Sequence, residues 1–195
     1  MAKKSNNIPT PSKDEIEREL RRAKYNDRYL KLLKSTVGAL IVTAAVAALV
    51  ATLVLPVLQI YGSSMTPTLV EGDVVVTLKT DDMHRGDIIS FYYSNRILVK
   101  RVIGLPLDTI SIDNEGNVYI NGAYLEEPYL TEKALGECDI EFPYTVPEAS
   151  YFVMGDHRET SIDSRTTAVS CITQDEIVGK IIYTVWPLKN LGRVR

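Results

Sequence analysis

Three short stretches carry side chains that could do chemistry together: "YGSSMTPTL" (61–69), "RILVKRVIGL" (96–105) and "MGDHRETSIDSR" (154–165). In the first, Ser63 and Ser64 stand between Gly62, which opens unusual backbone conformations, and Pro67, which fixes the chain a few residues on. Such a turn can aim a hydroxyl and a backbone N–H at one point, as a nucleophile with half an oxyanion hole requires. Alone, Gly-Ser-Ser near a proline is ordinarily just a loop, so a base must be found before the serine means anything. A Ser-His pair would have to draw on His84 or His157, the chain's two histidines.

A neutral lysine is the other base that works with serine. Lys100 lies between "ILV" and "VIGL", and on a strand Leu98, Lys100 and Val102 face one way while Val99, Arg101 and Ile103 face the other. An inward Lys100 would be desolvated by its neighbours. Lowering its pKa to about 7 or 8 takes burial worth about 4 kcal/mol, within reach of a dry site. Taken alone, a strand lysine more often reaches back to solvent. The third stretch is dense in Gly, Asp, Arg and Ser. Facing the Ser64 turn, it would offer a hydroxyl to orient the amine and Asp-Arg pairs to brace it.

These stretches need elements to hold them. From Val37 to Leu58 runs "VGALIVTAAVAALVATLVLPVL", roughly 22 residues without a charge, the length a helix needs to cross a bilayer. A soluble core helix would need a polar face, and a cleaved signal has a shorter lead and a shorter apolar run. Arg18, Arg21, Arg22, Lys24, Arg28, Lys31 and Lys34 precede the run, whereas none follows until Lys79, so the N-terminus is expected in the cytoplasm and the body outside. We divide the chain into a basic cytoplasmic segment (1–35), a transmembrane helix (36–58) and an extracytoplasmic domain (59–195). Residues 14–34 read as a helix, either resting on anionic lipid or merely solvated, and residues 1–13 as disordered.

Beyond the membrane "GDVVVTL", "GDIISFYY", "ILVKRVIGL", "DTISID", "VYING", "AYLEE", "YFVMGD" and "IVGKIIYTVW" are short, rich in β-branched and aromatic residues, and separated by turn residues. The expected fold is mainly β, a body of coiled antiparallel sheets behind one N-terminal helix. The 22 Lys plus Arg against 25 Asp plus Glu, a net charge of -3, offer no basic field for nucleic acid. Cys138 and Cys171 can pair in an oxidising space, and no His or Cys spacing resembles a metal-ligand set.

"SSMTPTL", "RGDIISF", "VKRVIGLP" and "GDHRETSIDSR" together resemble the ordered boxes of bacterial type I signal peptidases, membrane-anchored Ser-Lys endopeptidases that remove signal peptides from exported proteins. The likeness runs from the apolar span to "EIVGKI" near the C-terminus. It implies Ser64 as nucleophile and Lys100 as general base. Ser161 matches the hydroxyl that positions the lysine, with Asp156, Asp163 and Arg165 bracing the site and Arg101 partnering Asp156. Ile60, Met65 and Val99 match the lining of apolar pockets for small residues at −1 and −3. The implied partners are signal peptides of exported preproteins and the lipid bilayer, with no cofactor and no nucleic acid.

Some positions depart from the family pattern. Gly62 stands where some relatives carry a serine that donates to the oxyanion, His157 where Asn is common, and Leu107 where a turn glycine is usual. After Arg165, "TTAVSC" lacks an expected glycine. Three other readings compete. A Ser-His enzyme of the eukaryotic signal-peptidase kind would use His84, and a self-cleaving repressor would need a DNA-binding domain in place of the span. A catalytically silent, membrane-anchored β-domain that binds exported chains would keep every motif, and only activity separates it from the enzyme.

Overall fold

The structure, a computed structural model, describes residues 12–194. The disorder expected for residues 1–13 therefore falls almost wholly outside the described residues. The chain divides into two compact units, Met1–Ala51 and Thr52–Arg195.

The described part of the first unit is helical, and its helix, α1, runs over Lys13–Val54. Ser12 opens it with a reciprocal cap, its Oγ accepting the Glu15 N–H (3.3 Å) while Glu15 accepts the Ser12 N–H (2.9 Å). The 42 residues form one unbroken helix, about 63 Å long at the usual rise. The basic segment and the apolar run are thus one element, and 14–34 is not a separate helix lying across the end of the span. It is long and apolar enough to cross a membrane. Within the apolar run Thr43 turns its hydroxyl back onto the Ala39 carbonyl (2.9 Å), so its polar atom stays within the helix. Pro56 follows closely on the helix end, and Val57 and Leu58 of the apolar run belong to the first strand.

The second unit is antiparallel β. Its larger sheet runs, in order, β1 (Val57–Gln59), β2 (Val74–Leu78), β11 (Ile177–Trp186), β3 (Ile88–Tyr93), β4 (Arg96–Gly104), β9 (Ser150–Met154) and β10 (Ile172–Thr173), with β12 (Gly192–Arg193) also on β11. A smaller sheet orders β7 (Ala123–Tyr124), β6 (Val118–Ile120), β5 (Thr109–Ile112) and β8 (Tyr144–Thr145). Bulges bend β11 between Ile177 and Gly179 and twice more between Ile181 and Trp186, as coiling of a sheet demands.

Three apolar clusters follow from strand alternation. Ile89, Phe91, Val102, Tyr151 and Val153 form one between β3, β4 and β9. Phe152 and Met154, the alternate residues of β9, enter a second with Ile103 of β4 and with Ile110 and Val118 of the smaller sheet. Hence all five residues of β9 are buried. A third gathers Ile60, Met65, Leu69, Val75, Ile88 and Ile181. Lys100 and Arg101 sit opposite Ile89 and Ile88 of β3, so the lysine shares the face of the first cluster and the arginine that of the third.

Gly104, at the bulge where β4 leaves its regular pairing with β9, is needed for space: a Cβ there would lie 2.7 Å from Ile110 Cδ1 and 3.0 Å from Phe152 Cβ. Gly104→Ala should therefore destabilise the β unit by about 1–3 kcal/mol, read as a lower denaturation midpoint at unchanged slope.

Candidate active site

The Ser64 turn is pinned at both ends. Ile60 exchanges backbone bonds with Asp73 O (2.8 Å) and Gly72 N–H (2.9 Å), while Met65 O accepts the Leu69 N–H (2.9 Å) and both apolar side chains are buried in the third cluster. Between them Gly62 takes φ +83, and the Ser63 carbonyl accepts both the Thr66 N–H (3.0 Å) and its hydroxyl (2.7 Å). The Ser64 carbonyl in turn accepts the His157 N–H (3.0 Å), which ties the turn to loop 155–165.

Lys100, delivered by β4, donates from Nζ to Ser64 Oγ at 2.7 Å and is 3% exposed. Burial lowers its pKa from 10.5 to about 8. Asp163 and Asp156 pull the other way, and Arg165 assists the lowering. Neither histidine ring has this place. The His157 ring shares a bond with the Thr160 hydroxyl (Nδ1···Oγ1 2.6 Å), and exposed His84 sits beside Asp82 and Asp87.

The loop after β9 surrounds the pair. Gly155 packs so closely that a Cβ on it would collide with Ser161 Oγ and lie 2.5 Å from the Ser64 carbonyl oxygen. Its N–H is held by Asp163 (2.9 Å) and its carbonyl by Arg158 Nε (3.1 Å). Ser161 is buried, and among the described residues its hydroxyl has no hydrogen-bond partner. The lysine's bond is thus to Ser64, with Ser161 close by across Gly155.

Three buried arginine–carboxylate pairs brace this loop. Arg165 binds Asp163 through Nε and Nη2 (both 2.8 Å) and also donates to the carbonyls of Leu135, Arg158 and Ser161. Arg101 binds Asp156 through Nε (2.8 Å) and Nη2 (2.7 Å), and the Thr68 hydroxyl adds a bond to the same carboxylate (2.5 Å). Arg158 pairs with Glu127, which also accepts the Tyr129 hydroxyl (2.7 Å); the Tyr129 ring lies 3.9 Å from the Arg101 guanidinium.

Sequence reading assigns no role to Thr68, Glu127, Tyr129, Gly155 or Arg158. Arg158 and Gly155 lie inside the stretch already singled out, where charge density is the available signal. Glu127 and Tyr129 flank a proline in "EEPYL", which gives no periodic cue to burial.

Ile60, Met65 and Val99 line one cleft of about 100 Å³ together with Ser64 and Lys100. Ile60 and Met65 are buried and Val99 is half-buried. Cys138 and Cys171 are unpaired thiols, the first near the Ile140 carbonyl and the second near the Tyr144 hydroxyl.

Known proteins are similar to this chain over most of its length. Residues 33–186 match the family described as signal peptidase, peptidase S26. Signal peptidase I U of Bacillus subtilis is 38% identical over 148 residues, covering 70% of this chain and 78% of that protein. Signal peptidase I of Bacillus amyloliquefaciens is 34% identical over 168 residues (80% and 90%), and signal peptidase IB of Staphylococcus aureus 35% over 151 (67% and 78%). A crystal structure of a signal peptidase I from Enterococcus faecalis aligns at 31% identity and TM-score 0.42, covering 51% of this chain and 96% of that one. With the match reaching from within the long helix to the end of β11, and so across the whole Ser64–Lys100 site, the chain belongs to the signal peptidase family, peptidase S26.

Proposed function

We propose that this protein is a type I signal peptidase, a serine endopeptidase that cuts signal peptides from exported preproteins after small residues at −3 and −1. The observation that carries the reading is the 2.7 Å bond between Ser64 Oγ and a buried Lys100 whose pKa has fallen to about 8. At pH 7 such a lysine is neutral about one time in ten, against fewer than about one in a thousand for an ordinary one.

Neutral Lys100 takes the Ser64 proton as Oγ attacks the carbonyl of the −1 residue. The protonated amine then gives that proton to the leaving nitrogen, and the C–N bond breaks to leave a Ser64 acyl-enzyme. Water, deprotonated by the same lysine, attacks the ester carbonyl; the acyl C–Oγ bond then breaks, releasing the signal peptide as a carboxylic acid, and the lysine returns its proton to Ser64 Oγ. With Gly62 two places before the nucleophile, the Ser64 N–H is the local donor to the oxyanion. Ser161 holds the lysine amine during the cycle, its unpartnered buried hydroxyl being available for that bond. Asp156, Asp163, Arg101 and Arg165 keep the surrounding backbone in place.

Substrate enters as an added strand. Among the described residues β1 pairs with β2 alone, and β9 takes up the second edge of β4 only from Arg101 onward. Two free edges, at 57–61 and 96–100, therefore border the cleft of Ile60, Met65 and Val99, whose small volume suits alanine-sized side chains. The apolar part of α1 anchors the enzyme. In this reading the N-terminus lies in the cytoplasm and the β unit at the outer face of the cytoplasmic membrane, which the basic residues before the apolar run support.

The first test is cleavage of a preprotein with Ala at −3 and −1 by the detergent-solubilised chain, with the cut mapped by mass spectrometry. One cut after the −1 Ala is expected, falling by more than about a thousandfold in Ser64→Ala and Lys100→Ala. Lys100→Arg should be equally inactive, because a guanidinium does not give up its proton at these pH values; turnover by that variant refutes the base assignment. Inactivity of the intact chain on several preproteins would instead favour a silent binding domain.

The lysine also sets two pH effects. kcat/KM should rise with pH through about 8, tracking the neutral amine. For stability, the unfolded lysine holds its proton to about 10.5 while the folded one releases it near 8, so burial opposes folding fully below pH 8 and less as pH rises between the two values. Lys100→Met should thus be inactive yet more stable than the parent at pH 7 by about 1–3 kcal/mol, with the gap narrowing above pH 8 in urea titrations.

A further inference from the structure

A second, larger cleft opens on the other face of β4. It measures about 610 Å³ against about 100 Å³ for the cleft of Ile60, Met65 and Val99, and shares Leu98 and Lys100 with it. Its apolar floor comes from Tyr93, Leu98 and Val169, all packed in the cluster beneath the Lys100 face. Ile162, between Ser161 and Asp163, walls it and is 52% exposed, with no role in the reaction proposed above. Arg96 stands at the end away from Lys100.

Strand alternation says what occupies this cleft. In a peptide extended along the free edge of β4, successive side chains point to opposite faces of the sheet. If −1 and −3 enter on the Val99 face beside Ile60 and Met65, then −2 emerges on the Leu98 face. Because β9 closes the edge of β4 from Arg101 onward, the residues before the cut run back from Lys100 toward Arg96, over Leu98. The geometry points to the Leu98–Ile162 cleft as a binding site for the −2 side chain that selects large apolar residues, aromatic or branched aliphatic. This inference rests on the peptidase reading and adds a third determinant to it. Size separates the two faces: one cleft admits little beyond alanine, the other takes a whole phenylalanine. Charge adds a second filter, since a −2 lysine or arginine would face Arg96 and, when protonated, Lys100.

The test uses the detergent-solubilised full chain and preproteins with Ala at −3 and −1 and with Ala, Leu, Phe or Lys at −2. Leu and Phe should exceed Ala by about tenfold in kcat/KM, carried mainly by KM, and Lys should fall below Ala. Ile162→Ser should shrink the Phe-to-Ala ratio, and Ala168→Trp, which fills the cleft from an exposed position, should invert it. Each ratio compares substrates on a single enzyme, so a partly inactive variant still reports. Equal rates for all −2 residues, or a ratio unchanged in both variants, overturns the site while leaving the peptidase intact. Failure to cleave any of the series overturns the peptidase reading and the site with it.

Discussion

A lysine amine held dry against a serine hydroxyl is the constraint to which the rest of the β unit answers. Burial lowers the Lys100 pKa, but the same pocket needs carboxylates to fasten its loop, and a lone carboxylate nearby would hold the proton on the lysine. The structure resolves the conflict by giving each carboxylate its own guanidinium. Asp163, which raises the lysine pKa, is bound through both oxygens by Arg165, which lowers it, and Asp156 is bound likewise by Arg101. Both carboxylates are thus buried and held by arginine, and Arg165 offsets part of the pull that Asp163 and Asp156 exert on Lys100.

Such pairs contribute little net stability, since desolvating two ions offsets most of their attraction. Their value here lies in the backbone they organise. Residues 155–165 form no strand or helix, so their peptide groups must find partners elsewhere. Arg165 supplies donors to the carbonyls of Leu135, Arg158 and Ser161, and Arg158 supplies one to Gly155. A planar, always charged group with five donors can do this in a way lysine cannot. Glu127 completes the arrangement from outside the loop: by neutralising Arg158 it allows a fully buried guanidinium to sit beneath Gly155. Through Tyr129 the same segment touches Arg101, so the braces at Gly155 and Asp156 share one support.

What the sequence discloses depends on how local the cause is. The strands with several β-branched or aromatic residues are legible as strands from composition and turn residues alone. The short strands β1, β8, β10 and β12 are not, because two or three residues carry no period and owe their extended form to the neighbour they pair with. Alternation alone puts Lys100 and Arg101 on opposite faces, and the two faces do lead to different clusters. The Ser64, Lys100 and Ser161 assignments come through family resemblance, since neither spacing nor periodicity brings residues 64, 100 and 161 together. Glu127 and Tyr129 stay hidden for a related reason. Their importance comes from burial against Arg158 and Arg101, and a charged residue in a polar loop gives no sign that it will be buried.

Strand β4 shows how tightly these demands interlock. Over a few residues it presents Leu98 and Lys100 to one core, Val99 and Arg101 to the other, and a bulge at Gly104 where it must bend toward β9. A slip of one residue would exchange every one of these sides, putting an arginine beside Ser64 and a lysine beside Asp156. Register is therefore held by pairing with β3 along Arg96–Arg101, while among the described residues the other edge of that half is left without a strand. An open edge ordinarily invites unwanted pairing, and here its shortness and terminal Arg96 limit that hazard. Closing it with β9 would have been the simpler sheet. It would also have removed a stretch of backbone where an extended peptide can lie beside both Ser64 and Lys100.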